Sequence, residues 1–129
     1  MHPGLERWHH IVKSRDASGL DAILADDVVF HSPVVHTPQT GKAITSKYLH
    51  AALHVLNTPD FRYLTQCTEG RTSVLEFETK LDGVTVNGVD LITWSADGSK
   101  IENFKVMVRP LKAMNALHQA MGQMLQRAL

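Results

Sequence analysis

Four strand-like runs follow one another in the second half of the chain, and this succession restricts the possible folds more than any other feature. The runs are FRYLTQCTE, RTSVLEFETKL, VTVNGVDLITW and KIENFKVMVR, separated by the turn signals GR, DG and ADGS. Short connections of this kind join antiparallel neighbours. In the second run, Leu75, Phe77 and Leu81 alternate with charged residues, as in a strand with one buried face. The sequence therefore predicts four consecutive antiparallel strands.

The first half of the chain has a different pattern, which begins with two helices. Apolar residues recur at helical spacing from Leu5 to Val12, and DASGLDAILADD predicts a short second helix with Ser18 as its cap. The stretch VVFHSP then predicts a short strand. Pro33 ends this strand, because proline cannot donate a hydrogen bond to a sheet ladder. We expect a loop from there to Gly41.

Two further helices are predicted. In KAITSKYLHAALHVL one face carries Ile44, Tyr48, Ala51 and Val55, and NTP ends the helix at residues 57–59. After Pro110, apolar residues at helical spacing predict an amphipathic C-terminal helix. These residues are Leu111, Met114, Leu117, Met121, Met124 and Leu125. Helices followed by a series of strands indicate an α+β fold, and the 129 residues fit a single domain, residues 1–129.

Composition excludes several classes of function. Thirteen Lys and Arg balance thirteen Asp and Glu without a run of one sign, so no nucleic-acid partner is expected. No apolar run is long enough to cross a membrane, and no secretory h-region is seen, which favours the cytoplasm. Cys67 is the only cysteine, so an intrachain disulfide is impossible. No phosphate-binding Gly-rich loop is present, and no cofactor or metal is expected: His50 and His54 have metal-ligand spacing on a helix, but no carboxylate nearby completes a site.

The candidate catalytic residue is Asp90, because it interrupts an apolar strand. It shares a strand face with Ile92 and Trp94. Burial among such neighbours disfavours the charged carboxylate and raises its pKa, which is typical of a general acid or base. The alternative is a structural role, with the carboxylate bound to a backbone amide or paired with Lys105 or Arg109 across the sheet.

Two longer segments carry a family resemblance. LADDVVFHSPVVHTPQTGKAITSKYL followed by VNGVDLITWSADGSKIENFKVMV resembles the nuclear transport factor 2-like superfamily, in particular its SnoaL-like and ketosteroid-isomerase-like members. The resemblance covers roughly residues 5–110. It implies a cone, in which a curved antiparallel sheet with a mixed edge wraps around the N-terminal helices and leaves a pocket at the open end. The C-terminal helix is extra to this pattern, and family members commonly form dimers through the outer sheet face.

The resemblance also implies roles for individual residues. Asp90 matches the carboxylic acid that stays protonated in ketosteroid isomerases and helps form their oxyanion hole. Ser32 lies where those enzymes have the aspartate that moves the proton. The phenol donor on their first helix would fall near Trp8 or His10, and neither is a tyrosine.

We expect the remaining ligand contacts to come from residues around Asp90. The candidates are Ser32, Phe30, His36, Tyr48, Trp94 and Trp8. His36 would act from the loop after the first strand, if that loop folds over the pocket. For Tyr48, core packing and a hydroxyl aimed into the pocket are both possible.

Two functions are left open by the residues. The first is a cofactor-independent acid/base isomerase or cyclase acting on a hydrophobic cyclic or polyketide-like molecule. The second is a binding module of the same fold that holds an apolar ligand or a protein partner without turnover. In either case, apolar residues on both faces of the third run, such as Val89 and Leu91 on the outer face, favour a homodimer through the outer sheet face.

Overall fold

A computed structural model of the protein describes residues 3–127. It contains four α-helices, a one-turn 3₁₀ helix at Ala17–Gly19 and six strands. The helices are α1 (Pro3–Ser14), α2 (Leu20–Ile23), α3 (Lys42–Leu56) and α4 (Leu111–Arg127). The strands are β1 (Leu24–His31), β2 (Gln39–Thr40), β3 (Arg62–Glu69), β4 (Thr72–Leu81), β5 (Val84–Trp94) and β6 (Ile101–Arg109).

All six strands form one curved sheet, in the order β2-β1-β6-β5-β4-β3. The predicted series of antiparallel strands is confirmed, because β3 to β6 pair with their neighbours in sequence. Strand β1 joins the other side of β6 in parallel, so the sheet is mixed at that edge. The α+β cone with an additional C-terminal helix is therefore the observed fold.

Strand β5 lies in the middle of the sheet and determines what faces inward. Its residues alternate strictly between buried and half-buried from Val86 to Trp94. The buried set is the inner face, and it packs on a core formed with the helices. Helix α4 packs on α3 and on strands β4, β5 and β6. The C-terminal helix thus covers the inside of the sheet.

Four details differ from the sequence prediction. Asp16, not Ser18, caps the helical turn before α2: its side chain accepts a hydrogen bond from the backbone N–H of Ser18. Strand β1 begins at Leu24, earlier than expected, and the predicted loop contains the two-residue strand β2. On α3, Ala51 and Val55 are buried as predicted, but Ile44 and Tyr48 are only half-buried. Thr45 and Leu49 are buried instead, because the helix packs between β1 and α4.

Candidate functional site

A cavity of about 190 Å³ lies between the inner sheet face and helices α1, α3 and α4. Its wall is mostly aliphatic and aromatic. The residues with polar side-chain groups other than Trp8 are Ser32, Tyr48, Asn57, Tyr63, Asp90 and His118. A mostly apolar cavity with a few polar groups is typical of a small-molecule site.

Asp90 contributes a carboxyl group to this cavity from the centre of β5. Its cross-strand neighbours are Leu75 on β4 and Val106 on β6, and only 7% of the residue is exposed. Burial raises the pKa of Asp90 to about 8. Within residues 3–127, neither Lys105 nor Arg109 forms an ion pair with it. At neutral pH the group is therefore mainly a neutral carboxylic acid that can donate a hydrogen bond.

Tyr63 on β3 places a phenol close to this acid. Its hydroxyl accepts a hydrogen bond from Nε1 of Trp8, with 3.0 Å between the two atoms. Burial raises the pKa of Tyr63 above its usual range, and the negative charge that Asp90 can carry raises it further. Because the phenol oxygen accepts from Trp8, its own hydrogen is left to donate to another acceptor.

Asp90 and Tyr63 together can bind an oxygen atom. A neutral carboxylic acid and a phenol both donate O–H hydrogen bonds, and both lie in surroundings of low dielectric. Donors held in this way stabilise the negative charge that develops on a carbonyl oxygen when a neighbouring proton is removed. The pair therefore has the chemistry of an oxyanion site.

Aromatic side chains form the wall next to these donors. The ring of Phe30 lies 5.6 Å from that of Tyr48 and 6.1 Å from that of Phe104, measured between centroids. The ring of Trp8 lies 5.1 Å from that of Phe104. Phe30, Tyr48 and Trp8, all predicted ligand contacts, thus line the cavity together. Flat apolar surfaces of this kind suit a ring system.

Ser32 also lines the cavity, at the point where the chain leaves β1. Its hydroxyl oxygen accepts a hydrogen bond from the backbone N–H of Val34, at 3.1 Å. The resulting turn places Pro33 and Val34 in the cavity wall. Ser32 can still donate its own hydrogen to a ligand, but a hydroxyl without a basic partner does not remove protons.

Two of the predicted ligand contacts, Trp94 and His36, do not line this cavity. Trp94 does not line the cavity: it is fully buried, and its Nε1 donates to the hydroxyl of Ser73 at 2.9 Å. It shares a face with Asp90, but four residues along a strand separate them by about 13 Å. His36 is exposed and lines a second, neighbouring cavity, because the turn after Ser32 directs the apolar residues inward.

Two residues with suitable chemistry were missed. Tyr63 follows Phe61 at a spacing of two, so the alternation in FRYL could have placed both aromatic rings on one face. His118 on α4 lines the cavity although its side chain is exposed. His118 lies three residues before Met121 and four after Met114, so this spacing places it at the border of the apolar helix face.

The positions of the side chains do not support a metal site at His50 and His54. His50 and His54 are both exposed on α3. Across the part of the chain that the structure describes, no three His, Cys, Asp or Glu side chains come together in a way that could hold an ion. Among those same residues, no helix is both long and apolar enough to cross a membrane.

Comparison with known families identifies the class of protein. Residues 5–103 match the model of the SnoaL-like domain. The chain therefore belongs to the SnoaL-like domain family of the nuclear transport factor 2-like superfamily, as the sequence motifs predicted. A comparison with the curated proteins found no significant match.

Solved structures give a more detailed picture of the relatives. A crystal structure described as a steroid delta-isomerase from Pseudomonas aeruginosa is 38% identical, with a TM-score of 0.91 over 97% of this chain and 90% of that one. An uncharacterised protein with a cystatin-like fold from Silicibacter pomeroyi is 36% identical, with a TM-score of 0.86 over 95% and 85% of the two chains. An epoxide hydrolase/cyclase-like enzyme of pyran ring formation in salinomycin is 14% identical, with a TM-score of 0.67 over 84% and 89%, and shares the fold.

Proposed function

We propose that the protein is a cofactor-independent acid/base enzyme acting on an apolar, ring-containing small molecule with a carbonyl group. The observation that carries the proposal is the carboxyl group of Asp90, which is buried at the wall of an apolar cavity. This burial raises the pKa of Asp90 to about 8. Keeping a carboxyl group protonated at neutral pH in the folded protein costs free energy, because the same group would ionise in water. Groups with such shifted pKa values are concentrated at functional sites.

The proposed reaction is the shift of a double bond into conjugation with the carbonyl group. A base removes a proton from the carbon next to the carbonyl, and Asp90 and Tyr63 donate hydrogen bonds to the enolate oxygen. The proton returns to the far carbon of the double bond, so the reaction needs no other reactant. His118 is the proposed base, because it lines the same cavity and imidazole is the usual side-chain base near neutral pH.

The relatives support this choice of substrate class. The structure at 38% identity is described as a steroid delta-isomerase, and a more distant one belongs to a cyclase-like enzyme. Both descriptions fit chemistry on fused or forming rings. The aromatic wall formed by Phe30, Tyr48 and Phe104 would hold such a ring system by apolar contact.

The second candidate function is binding without turnover. Asp90 is the only Asp or Glu in the cavity wall formed by the described residues. By the family resemblance, Ser32 lies where ketosteroid isomerases have the aspartate that moves the proton. If His118 is not a base, the same donors would only anchor a carbonyl-bearing ligand. Turnover therefore separates the two functions.

The decisive experiment measures isomerisation of a steroid ketone, followed by the ultraviolet absorbance of the conjugated product. We expect Asp90→Asn to lower kcat by about 10²- to 10⁴-fold, the usual contribution of general acid/base or oxyanion groups. In the wild type, activity should fall as pH rises through about 8, because Asp90 then loses the proton that it donates.

The matched control is Asp27→Asn, which alters an exposed aspartate on β1 outside the cavity and should leave kcat unchanged. His118→Gln should lower kcat while circular dichroism stays the same. A wild-type protein that binds the steroid without converting it supports the binding function. Full activity in Asp90→Asn rejects the proposed enzyme.

We also propose a homodimer through the outer sheet face. On β5, Val89 lies between Glu76 and Met107, and Leu91 lies between Val74 and Lys105. Val89 and Leu91 are only half-buried, so apolar side chains on this face are left partly open to water. Sedimentation should show a dimer at micromolar concentration, and Leu91→Arg should give a folded monomer. Monomeric wild-type protein would contradict the proposal.

A further inference from the structure

A second cavity, of about 370 Å³, adjoins the first one. The two share four wall residues at the end of β1 and on β6. These residues are Ser32, Pro33, Val35 and Val106. The two cavities are therefore adjacent, with the end of β1 and Val106 between them. The polar lining of the two cavities differs: the first has Asp90, and the second has three basic side chains and no acidic one.

The three basic side chains come from separate elements. His31 on β1 is the cross-strand partner of Lys105 on β6, and His36 lies in the loop that follows β1. Burial lowers the pKa of His31, and the charges of Lys105 and His36 lower it further. Among the described residues, Lys105 takes part in no ion pair, whereas Lys42, Arg62 and Arg71 each pair with a carboxylate. In the part of the chain that the structure describes, no carboxylate in the wall of the second cavity thus offsets the positive charge of Lys105.

We propose that this second cavity binds the anionic group, a carboxylate or a phosphate, of a ligand whose apolar ring system lies in the first cavity. This inference deepens the proposed function, on which it rests, by adding a charge to the substrate class. The ammonium group of Lys105 supplies an ionic contact, and both imidazoles can donate N–H hydrogen bonds to anionic oxygens. The substrate is then amphipathic: one end meets Asp90 and Tyr63, and the other end meets His31, His36 and Lys105.

The test compares two fluorescent probes that share an aromatic body. One is 8-anilinonaphthalene-1-sulfonate, which is anionic, and the other is N-phenyl-1-naphthylamine, which is neutral. We expect Lys105→Met to weaken binding of the anionic probe by about 3- to 10-fold and to leave the neutral probe unchanged. His31→Gln and His36→Gln should act in the same direction. Lys112→Met is the matched control, since it removes an exposed lysine of α4 that lines neither cavity.

Competition against the anionic probe identifies the kind of anion. Stronger displacement by decanoate than by decyl phosphate assigns a carboxylate, and the reverse order assigns a phosphate. Equal displacement by 1-decanol would overturn the proposal, and so would an unchanged affinity of Lys105→Met for the anionic probe. An equal loss of both probes in that variant would also overturn it. The result is separate from the proposed reaction, because Asp90→Asn tests turnover and should keep the preference for the anionic probe.

Discussion

The inner face of β5 has two halves, and each buries one polar side chain in different surroundings. In the closed half, Trp94 is fully buried, and its Nε1 donates to Ser73, whose hydroxyl also pairs with that of Thr68. Helix α1 fills the remaining space: a methyl group on Gly4 would come within 2.5 Å of the Trp94 ring. The indole N–H and the Ser73 hydroxyl there both have partners, so this half contributes to the stability of the fold.

In the open half, Asp90 lies four residues earlier on the same face of the same strand and borders a cavity. Burial leaves its carboxyl group neutral, without an ion pair to a cation in residues 3–127. An unpaired buried carboxyl group costs free energy that a satisfied one does not. One strand can therefore stabilise the fold at one end and hold a buried, neutral acid at the other, depending on what covers it.

The largest effect on stability is expected at the closed half. Trp94→Ala should lower the free energy of unfolding by about 3–5 kcal/mol, because the surrounding core cannot collapse into the space left by the indole. Val34→Ala, in the wall of the open cavity, should cost less than about 1 kcal/mol, since the side chain is half-buried beside space that already exists. Urea denaturation measures both. Equal costs would remove the distinction between the two halves.

The pH dependence of stability tests the open half. The pKa of Asp90 is about 8 in the folded protein and ~3.9 in the unfolded chain, so between these values unfolding releases a proton. This contribution is complete below about pH 4 and is lost as pH rises toward 8. It should decrease by about 1.4 kcal/mol for each pH unit between these limits.

Asp90→Asn provides the comparison for this experiment, because its amide does not titrate. The difference in stability between wild type and Asp90→Asn should therefore change with pH by the same amount, and the variant should gain relative stability at higher pH. Denaturation midpoints at several pH values measure the difference. A constant difference from about pH 5 to pH 7 would show that Asp90 is ionised in the folded protein.

A smaller effect than at Trp94 is expected for Tyr63→Phe. The change keeps the ring contacts with Phe61 but removes the acceptor for Nε1 of Trp8, which should cost about 1–2 kcal/mol. If Tyr63 also donates to the substrate, kcat should fall by about 10-fold or more while the dependence on pH near 8 is kept. A change in stability without a change in kcat would assign Tyr63 to structure only.

Much of the fold could be predicted from local patterns. Alternation along β4 and β5 separated the inner residues, such as Leu75 and Asp90, from the outer ones, because side chains alternate in any extended strand. The helical spacing after Pro110 predicted α4, and the motifs within residues 24–49 and 86–108 predicted the superfamily. Strand β2 was missed, since two residues carry no period and pair only because β1 is beside them.

The candidate site was less accessible from the sequence. Asp90 could be recognised within one short segment of sequence, because a carboxylate in an apolar strand is unusual. Tyr63 is 27 positions away along the chain and meets Asp90 only because β3, β4 and β5 curve in one sheet. His118 reaches the cavity only because α4 folds back over the inner face. The spacing of residues within one helix or strand does not show which distant segments come into contact.

By itself, therefore, the sequence determined most of the elements, the inward face of β5 and the family, because these depend on residues close together in the chain. The tertiary structure decided the surroundings of each inward residue. Asp90 borders a cavity, whereas Trp94 packs in the core. It also placed His31 and Lys105 opposite each other across a parallel pair of strands. The physical reason is that dielectric, hydrogen-bond partners and charge depend on whatever fills the surrounding space, and that space is filled by segments far apart in the sequence.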